Sequence, residues 1–261
     1  MSRVLTVDIG NTTTRFGLFS LEGGEPGLEG TCELTTPARI TADEARIQAA
    51  QALAIMGAEP VPDAIISCVV PALTDAWRRA LDGLCGTRPL VVGPGLKSGV
   101  RMRYDDPAEV GPDRIADVVA ARAAYGAPVI AIDLGTTTNF EVIDAEGTFA
   151  GGIIAPGVAL GARSLAQAAA RLPMIELRAP ENVIGRSTQA AMQSGVVLGE
   201  AARIDGLIDS IADELGDGAP VVLTGDGAQA IAALLRHETV VDETLTLRGL
   251  ALIWQINRKK R

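Results

Sequence analysis

Apolar residues fall along the chain in short runs that alternate with stretches of helical spacing. Residues 4–19 and 129–144 each contain a β-branched run ending in aspartate, a turn of glycine and threonine, and a second apolar stretch. This pattern predicts a strand–turn–strand hairpin at both places. Strand blocks alternate with helices in each half of the chain, so the sequence predicts an α/β fold.

Capping residues mark the ends of the predicted helices. Thr41 is the predicted N-cap of a helix over residues 41–57, and Pro112 is placed in the first turn of a helix that Tyr125 and Gly126 close. The other predicted helices cover residues near 72–83, 158–171 and 186–215, and the other predicted strands are 63–71, 89–93 and the start of 219–231. The segment GGIIAPG (151–157) follows the second hairpin.

The two hairpins match each other residue by residue. At an offset of 125 residues the alignment pairs Val4 with Val129, Asp8 with Asp133, Gly10 with Gly135, Thr12 with Thr137 and Thr13 with Thr138. Because this offset is close to half of the 261 residues, duplication of a whole domain is the economical explanation, and chance similarity is the alternative. We therefore predict two related domains, residues 1–120 and residues 121–261.

Composition narrows the classes of function. The formal charge of −9 argues against nucleic acid as the main partner, and no stretch approaches the roughly 18 consecutive apolar residues that a membrane helix needs. The three cysteines lack a CxxC spacing, which favours reduced thiols in the cytosol. A single histidine, His237, excludes mechanisms that need a histidine cluster. We expect a cytoplasmic protein that binds neither nucleic acid nor a membrane.

The turn of the first hairpin has the residue types of a phosphate-binding loop. Gly10 permits φ above zero and lets backbone N–H groups face an anion, and Asn11 and the threonines that follow add short side-chain donors. Asp8 would repel a phosphate directly, so its place at the strand end makes sense through Mg²⁺ and its bound waters. The alternative is a polar hairpin turn without a ligand.

The turn after Asp133 repeats this arrangement in the second half of the chain. Two such turns facing each other across a cleft between the domains would bind a polyphosphate from both sides. The pair therefore predicts a nucleotide site, which either turn alone would predict only weakly.

A third candidate is the segment from Glu109 to Arg114, at the start of a predicted helix. A carboxylate at Asp113 is kept ionised there by the helix dipole and could accept the proton of a substrate hydroxyl. The Arg114 guanidinium could bind an anionic group through two hydrogen bonds. In the alternative, Asp113 only serves the helix terminus and Arg114 pairs with Asp117.

The order of these motifs resembles that of the type III pantothenate kinases over nearly the whole chain. The matching segments are DIGNTTTRFGLF, ISCVVP, YDDPAEVGPDR, DLGTTT, GGIIAPG, RLP, IGRSTQAAMQSG and TGDGA. The resemblance implies two duplicated ribonuclease-H-like domains of the acetate-and-sugar-kinase, actin-like superfamily, with a nucleotide cleft between them. It also implies transfer of the γ-phosphoryl group of ATP to the primary hydroxyl of pantothenate, the first step of coenzyme A synthesis.

Individual residues acquire roles through this resemblance. Asp113 matches the family's proton acceptor, Thr136 a contact to ATP, and Asp133 the ligand of a required monovalent cation, K⁺ or NH₄⁺. The family forms homodimers whose substrate pocket is completed by the second subunit. The positions implied for ATP phosphates and Mg²⁺ are Asp8, Ile9, Gly10, Asn11, Thr12, Thr13, Thr14 and Arg15. The positions implied for pantothenate are Tyr104, Gly111, Pro112, Asp113, Arg114 and Thr188.

Three departures from the family pattern stand out. Pro112 replaces the usual alanine, and the second turn carries Thr137, Asn139 and Glu141 where the family usually has DxGTATT followed by aspartate. Asp226 replaces the second glycine of a TGG turn, a position where glycine permits close approach or a positive φ. Two alternatives stay open: a kinase of the same fold that acts on a sugar or a carboxylate, and a non-catalytic nucleotide-binding regulator.

Overall fold

The computed structural model describes residues 3–21, 24–216 and 218–258, which form two compact units. The first unit holds the residues up to Ala124 together with those from Thr244 onward, and the second holds Tyr125–Glu243. Each unit is built on one five-stranded sheet. None of the helices in these ranges is long and apolar enough to cross a membrane.

The first sheet has the strand order β3-β2-β1-β4-β5, with β1 antiparallel to β2 and parallel to β4. Thr41 caps the first helix as predicted, because its hydroxyl accepts from the Glu44 N–H (3.2 Å) while its own N–H donates to the Glu44 carboxylate (2.8 Å). The elements are β1 (Arg3–Ile9), β2 (Thr13–Ser20), β3 (Gly27–Thr35), α1 (Ala42–Ile55), β4 (Ala64–Cys68), α2 (Pro71–Cys85), β5 (Leu90–Val91) and α3 (Pro112–Tyr125).

The second sheet repeats the first, with strand order β8-β7-β6-β9-β10 and the same strand directions. Its elements are β6 (Val129–Leu134), β7 (Thr137–Ile143), β8 (Phe149–Pro156), α4 (Val158–Ala168), α5 (Thr188–Gln193), α6 (Gly199–Leu215), β9 (Val221–Gly225), α7 (Ala228–Ala232) and β10 (Val240–Val241). A π-helical turn, Ser194–Leu198, joins α5 to α6. The shared topology confirms the predicted α/β class and the predicted duplication.

Two local features differ from the predictions. The strand β3 was not predicted, because the segment GLEGTCELT is rich in glycine and glutamate and leaves most of its side chains exposed. It forms because it pairs along the whole edge of β2. The strand predicted to reach Pro71 ends at Cys68, and Pro71 instead begins α2, where its missing N–H is not needed.

The C-terminal helix α8 (Leu245–Asn257) returns to the first unit. Its apolar face packs against β1, β2 and β4, where Leu250 and Trp254 share a buried cluster with Val4 and Ile65. The structure therefore divides the chain near residues 124 and 244, which differs from the predicted division into 1–120 and 121–261. The amphipathic pattern of α8 indicates a buried face but does not indicate which of two similar sheets will cover it.

The crossing of α8 over α3 depends on Gly249. A Cβ built on Gly249 would overlap the backbone of Ala116, so the two helices approach as closely as glycine permits. Thr246, one turn earlier on α8, donates a 2.6 Å hydrogen bond to the buried Asp117 carboxylate of α3. Both contacts fix α3 on the first sheet.

We expect Gly249→Ala to lower the free energy of unfolding by about 1–3 kcal/mol or more, because α8 and α3 must separate to admit the methyl group. The matched control is Gly206→Ala on α6, where an added Cβ would meet no atom within 4 Å. That variant should gain about 0.5–1 kcal/mol, since alanine is the better helix former. Urea denaturation of the three proteins checks both values, and a neutral Gly249→Ala would contradict the close crossing.

Candidate active site

The first turn begins at Asp8, near the carboxyl end of β1. Side chains alternate along the strand, so Asp8 lies on the face of the sheet that carries Val4 and α8, and it is half-buried. Its neighbours across the sheet are Arg15 on β2 and Ser67 on β4. The Gly10 N–H donates to the Thr13 carbonyl (2.9 Å), which closes the turn.

The predicted ATP-binding residues of this turn divide into two groups. Ile9 and Thr14 are buried, and the Thr14 hydroxyl is 2.8 Å from the Thr36 hydroxyl behind the turn. Arg15 forms an ion pair with Glu33 on β3 (3.2 Å). The side chains at the surface of the turn are those of Asn11, Thr12 and Thr13, of which Asn11 and Thr12 are exposed. Because the Gly10 N–H is engaged inside the turn, the N–H groups that follow it are the ones suited to an anion.

The second turn is shorter than the first. The residues that oppose each other across it are Leu134 and Thr138, whereas those of the first turn are Ile9 and Thr14. Three residues therefore replace four, and Thr138 corresponds to Thr14. The sequence alignment of Thr138 with Thr13 is wrong, and the alignment of Thr137 with Thr12 is shifted by one residue in the same way. A one-residue deletion inside a turn leaves no trace in the apolar pattern on either side.

Glycines hold the second turn closely against its neighbours. The Gly157 N–H donates to the Thr136 carbonyl (3.1 Å), and a Cβ on Gly157 would overlap the carbonyl oxygen of Gly135. On the other side, a Cβ on Gly225 would overlap the Asp133 carboxylate. Thr136 is exposed at the tip, and Asp133 is half-buried at its base.

The altered positions near the second turn do not break its backbone. Asn139 is nearly buried on β7 directly opposite Asp133, and Glu141 is fully buried on the same strand. Asp226 is exposed, and its N–H donates to the Leu134 carbonyl (2.5 Å). The φ values are positive at the glycines on either side of Asp226 but not at Asp226 itself. The side chain at 226 therefore causes no backbone strain.

The third candidate centres on Asp113 at the start of α3. The Arg114 N–H donates to the Asp113 carboxylate (2.8 Å), and a Cβ on Gly111 would overlap the same carboxylate oxygen. The Arg114 side chain is only 6% exposed, and its guanidinium donates to the Tyr104 hydroxyl (3.1 Å). The structure thus brings together four of the predicted pantothenate-binding residues, with Pro112 as the first residue of the helix.

Burial raises the pKa of the Asp113 carboxyl above its ordinary value of 3.8. The Arg114 backbone N–H and the Arg114 charge act in the opposite direction and are outweighed. A carboxylate in this environment is a stronger proton acceptor than an exposed aspartate. The position also lies at a helix N-terminus, where the dipole favours the ionised form.

Thr188 belongs to the second unit and stands apart from the Asp113 group in the chain. It is exposed as the first residue of α5, which Ser187 caps by accepting the Ala190 N–H (3.1 Å). The described residues contain no group of three or more histidine, cysteine or acidic side chains arranged to hold a metal. Asp8 and Asp133 each lie near the carboxyl end of a central strand.

Sequence reasoning missed an ion pair beside the second turn, in which the carboxylate of Glu200 is buried. Glu200 and Arg203 on α6 pair with each other, and Glu200 also accepts a 2.6 Å hydrogen bond from the Thr138 hydroxyl. The available signal was an acidic and a basic residue three apart near the start of a helix that carries several other acidic residues. That spacing is common on exposed helix faces, so it did not distinguish a buried pair.

Comparison with known proteins places the chain in one family. A sequence model of the type III pantothenate kinases matches residues 4–210. A type III pantothenate kinase of Roseiflexus sp. (strain RS-1) is 41% identical over 257 residues, covering 98% of this chain and 99% of the relative.

Solved structures share the fold at low identity. A Campylobacter jejuni protein described as a conserved transcriptional activator of the Baf family has a TM-score of 0.62 at 18% identity, covering 97% of this chain and 98% of that protein. An Arthrobacter polyphosphate/ATP-glucomannokinase has a TM-score of 0.53 at 14% identity, covering 99% and 100%. The fold is that of the actin-like acetate and sugar kinases, and the chain belongs to the type III pantothenate kinase family.

Proposed function

We propose that this protein uses ATP to phosphorylate pantothenate in the cytoplasm, forming 4′-phosphopantothenate in the first step of coenzyme A biosynthesis. The observation that carries the proposal is the Asp113 carboxylate, held between the Gly111 backbone and the Arg114 N–H at the start of α3. Family membership supports the same activity, since the relatives are named for it.

In the proposed reaction the primary hydroxyl of pantothenate gives its proton to the Asp113 carboxylate. The hydroxyl oxygen attacks the γ-phosphorus of ATP, the bond from that phosphorus to the β–γ bridging oxygen breaks, and ADP leaves with the electron pair. Such a transfer passes through a loose transition state that needs positioning more than a strong base. An aspartate with a raised pKa is therefore sufficient.

The neighbours of Asp113 orient the acceptor. Arg114 supplies a positive charge for the carboxylate of pantothenate, and its bond to the Tyr104 hydroxyl holds the guanidinium in one direction. Gly111 and Pro112 contribute backbone atoms next to Asp113 to the same acceptor site. We assign Thr188 to pantothenate as well, through its exposed hydroxyl on α5.

The two turns supply donors for the phosphates of ATP. In the first turn these are the N–H groups after Gly10 together with Asn11, Thr12 and Thr13, and in the second turn Thr136. Ile9, Thr14 and Arg15 act behind the first turn by holding its strands in register. Such short, local donors suit a protein whose net charge does not attract anions.

Carboxylate oxygens suit the cations that the family implies. Asp8 would hold Mg²⁺ through bound water, since magnesium keeps several waters and prefers oxygen ligands. Asp133 lies beside the Leu134 carbonyl at the Gly225 backbone, so a carboxylate and a carbonyl oxygen are available to K⁺ or NH₄⁺. When bound, these cations would offset the charge of the phosphates.

We also propose that the active form is a homodimer. The second unit exposes several large apolar side chains within a short range of sequence, and such side chains mark a binding surface where they form one continuous patch. The exposed residues between positions 154 and 184 are Ile154, Leu165, Met174, Leu177, Val183 and Ile184.

The test of function is ADP release in the presence of ATP, Mg²⁺ and K⁺ with three acceptors. We expect turnover with pantothenate and none with glucose or acetate. Replacing K⁺ by Na⁺ should lower the rate by about tenfold or more if Asp133 holds the cation, because Na⁺ is smaller than K⁺ and fits the same oxygen ligands differently. Turnover only with a sugar or acetate would overturn the proposed acceptor, and ATP binding without any turnover would indicate a regulator. Equal rates in both salts would contradict the assignment of Asp133.

We expect Asp113→Asn to lower kcat by about a hundredfold or more, because the amide cannot accept the proton, while ATP affinity is nearly kept. The matched control is Asp82→Asn, an exposed carboxylate on α2 with the same charge change. Unchanged turnover in Asp113→Asn would remove this residue from its role.

The raised pKa of Asp113 should appear in the pH profile of the wild-type enzyme. Because the ionised form is the proton acceptor, kcat/KM should fall as the pH decreases through a value above 3.8, the ordinary pKa of aspartate.

The raised pKa of Asp113 also means that this group stabilises the fold fully only below pH 3.8 and loses that contribution as the pH rises through the folded-state pKa. Asp113→Asn should therefore melt at a higher temperature than the wild type at pH 7, and a lower melting temperature would contradict the burial effect.

We expect Ile184→Asp to convert the proposed dimer to a monomer, because a charge replaces a side chain that is 82% exposed in one chain and buried on association. Sedimentation velocity measures the oligomeric state, and the KM for pantothenate should rise with dissociation. The control is Ile47→Asp on α1, also an exposed isoleucine but in the first unit. A monomeric wild type, or a dimeric Ile184→Asp, would contradict this interface.

A further inference from the structure

An ion pair on α6, whose carboxylate is buried, contacts the second turn directly. Glu200 is 4% exposed, and its two carboxylate oxygens are used by different partners. One accepts the 2.6 Å hydrogen bond from the Thr138 hydroxyl, and the other pairs with the Arg203 guanidinium. The same guanidinium donates to the Pro156 carbonyl (2.7 Å).

These contacts reach the turn through β7, which follows it, and through the end of β8, which lies beside it. Thr138 lies on β7 immediately after the turn, where it opposes Leu134. Pro156 lies at the end of β8 opposite Thr137, and the next residue, Gly157, donates its N–H to the Thr136 carbonyl (3.1 Å). One carboxylate and one guanidinium thus connect α6 to the two backbone segments that enclose residues 135–137.

The stability of the fold does not by itself require an ion pair at this position. Removing the Glu200 carboxylate from water costs several kcal/mol, by order of magnitude, while the Arg203 side chain stays one third exposed. Apolar side chains of similar volume often serve as well or better than a buried charge. What an ion pair supplies is direction, because a guanidinium and a carboxylate bind only along fixed lines. The directions here end on the turn that carries Thr136.

We propose that Glu200 and Arg203 are positioning residues that hold the second turn in the conformation that binds ATP phosphate. The inference rests on the proposed function only in assigning ATP to this turn. It does not depend on which acceptor the enzyme phosphorylates. It predicts that loss of the pair weakens ATP binding selectively and leaves the acceptor site nearly unchanged.

The test is Glu200→Gln, which keeps the size of the side chain but loses the charge that holds Arg203. We expect the KM for ATP and the dissociation constant of ATP to rise about tenfold, while the KM for pantothenate stays within about twofold, since a displaced turn affects only the ligand it binds. The matched control is Asp205→Asn. Asp205 is also on α6, is 3% exposed and is paired with an arginine, Arg236, but it contacts the segment after α7 and not the turn.

If Asp205→Asn raises the KM for ATP as much as Glu200→Gln at a similar loss of melting temperature, the effect belongs to the stability of α6 and the inference is overturned. If Glu200→Gln leaves ATP binding unchanged, it is overturned directly. Titration of the wild type with ATP separates these outcomes from failure of the proposed function, because ATP binding is measured without any acceptor.

Two further variants address the possibility that Glu200→Gln does not fold. Thr138→Val has nearly the same shape and removes only the hydroxyl, so it should raise the dissociation constant of ATP, whereas Thr138→Ser, which keeps the hydroxyl, should restore much of the affinity. Equal affinity in Thr138→Val and wild type would overturn the proposed route through Thr138. Combined with Glu200→Gln, Thr138→Val should lose less than the sum of the two single changes, because both act on the same turn through residue 200.

Discussion

Close approach between glycine backbone and oxygen atoms is the constraint on which each candidate binding element depends. At Gly111, Gly157 and Gly225 a Cβ would overlap a carboxylate or carbonyl oxygen, and at Gly10 it would press on the carbonyl that closes the turn. Packing of this kind leaves no room for a side chain and places polar atoms side by side. The turns are therefore narrow and fixed by the backbone, with carboxylate and carbonyl oxygens that suit cations and backbone N–H groups that suit phosphates.

The same closeness explains the electrostatics of Asp113. Its carboxylate is held against Gly111 and is partly removed from water, which raises its pKa, while the N–H of Arg114 and the start of α3 keep it able to ionise. The fold thus accepts a carboxylate whose ionised form is less favoured than that of an exposed aspartate. A residue that opposes stability in this way is typical of a functional position.

Charge is handled locally throughout the protein. The chain is acidic overall, yet the proposed substrates are anions, so attraction must come from nearby donors. Arg114 is buried beside Tyr104, and Arg203 is held between Glu200 and a backbone carbonyl. Neither guanidinium is a mobile surface charge. Each guanidinium is held in a fixed direction, which suits the local orientation of a group more than the long-range electrostatic attraction of a substrate.

The sequence by itself determined the α/β class, the duplication and the start of α3 at Pro112, because strand runs, caps and helix-starting prolines act over a few residues. It also identified the family through the order of its motifs. The roles of the single site residues, from Asp8 to Thr188, stay predictions. Only the tertiary structure decided that the second turn is one residue shorter, that α8 joins the first unit, and that Glu200 is buried under Thr138. These features depend on contacts between residues far apart in the chain, such as the edge of β2 for β3 and Ala116 for Gly249, and no local pattern encodes which distant surface a segment will meet.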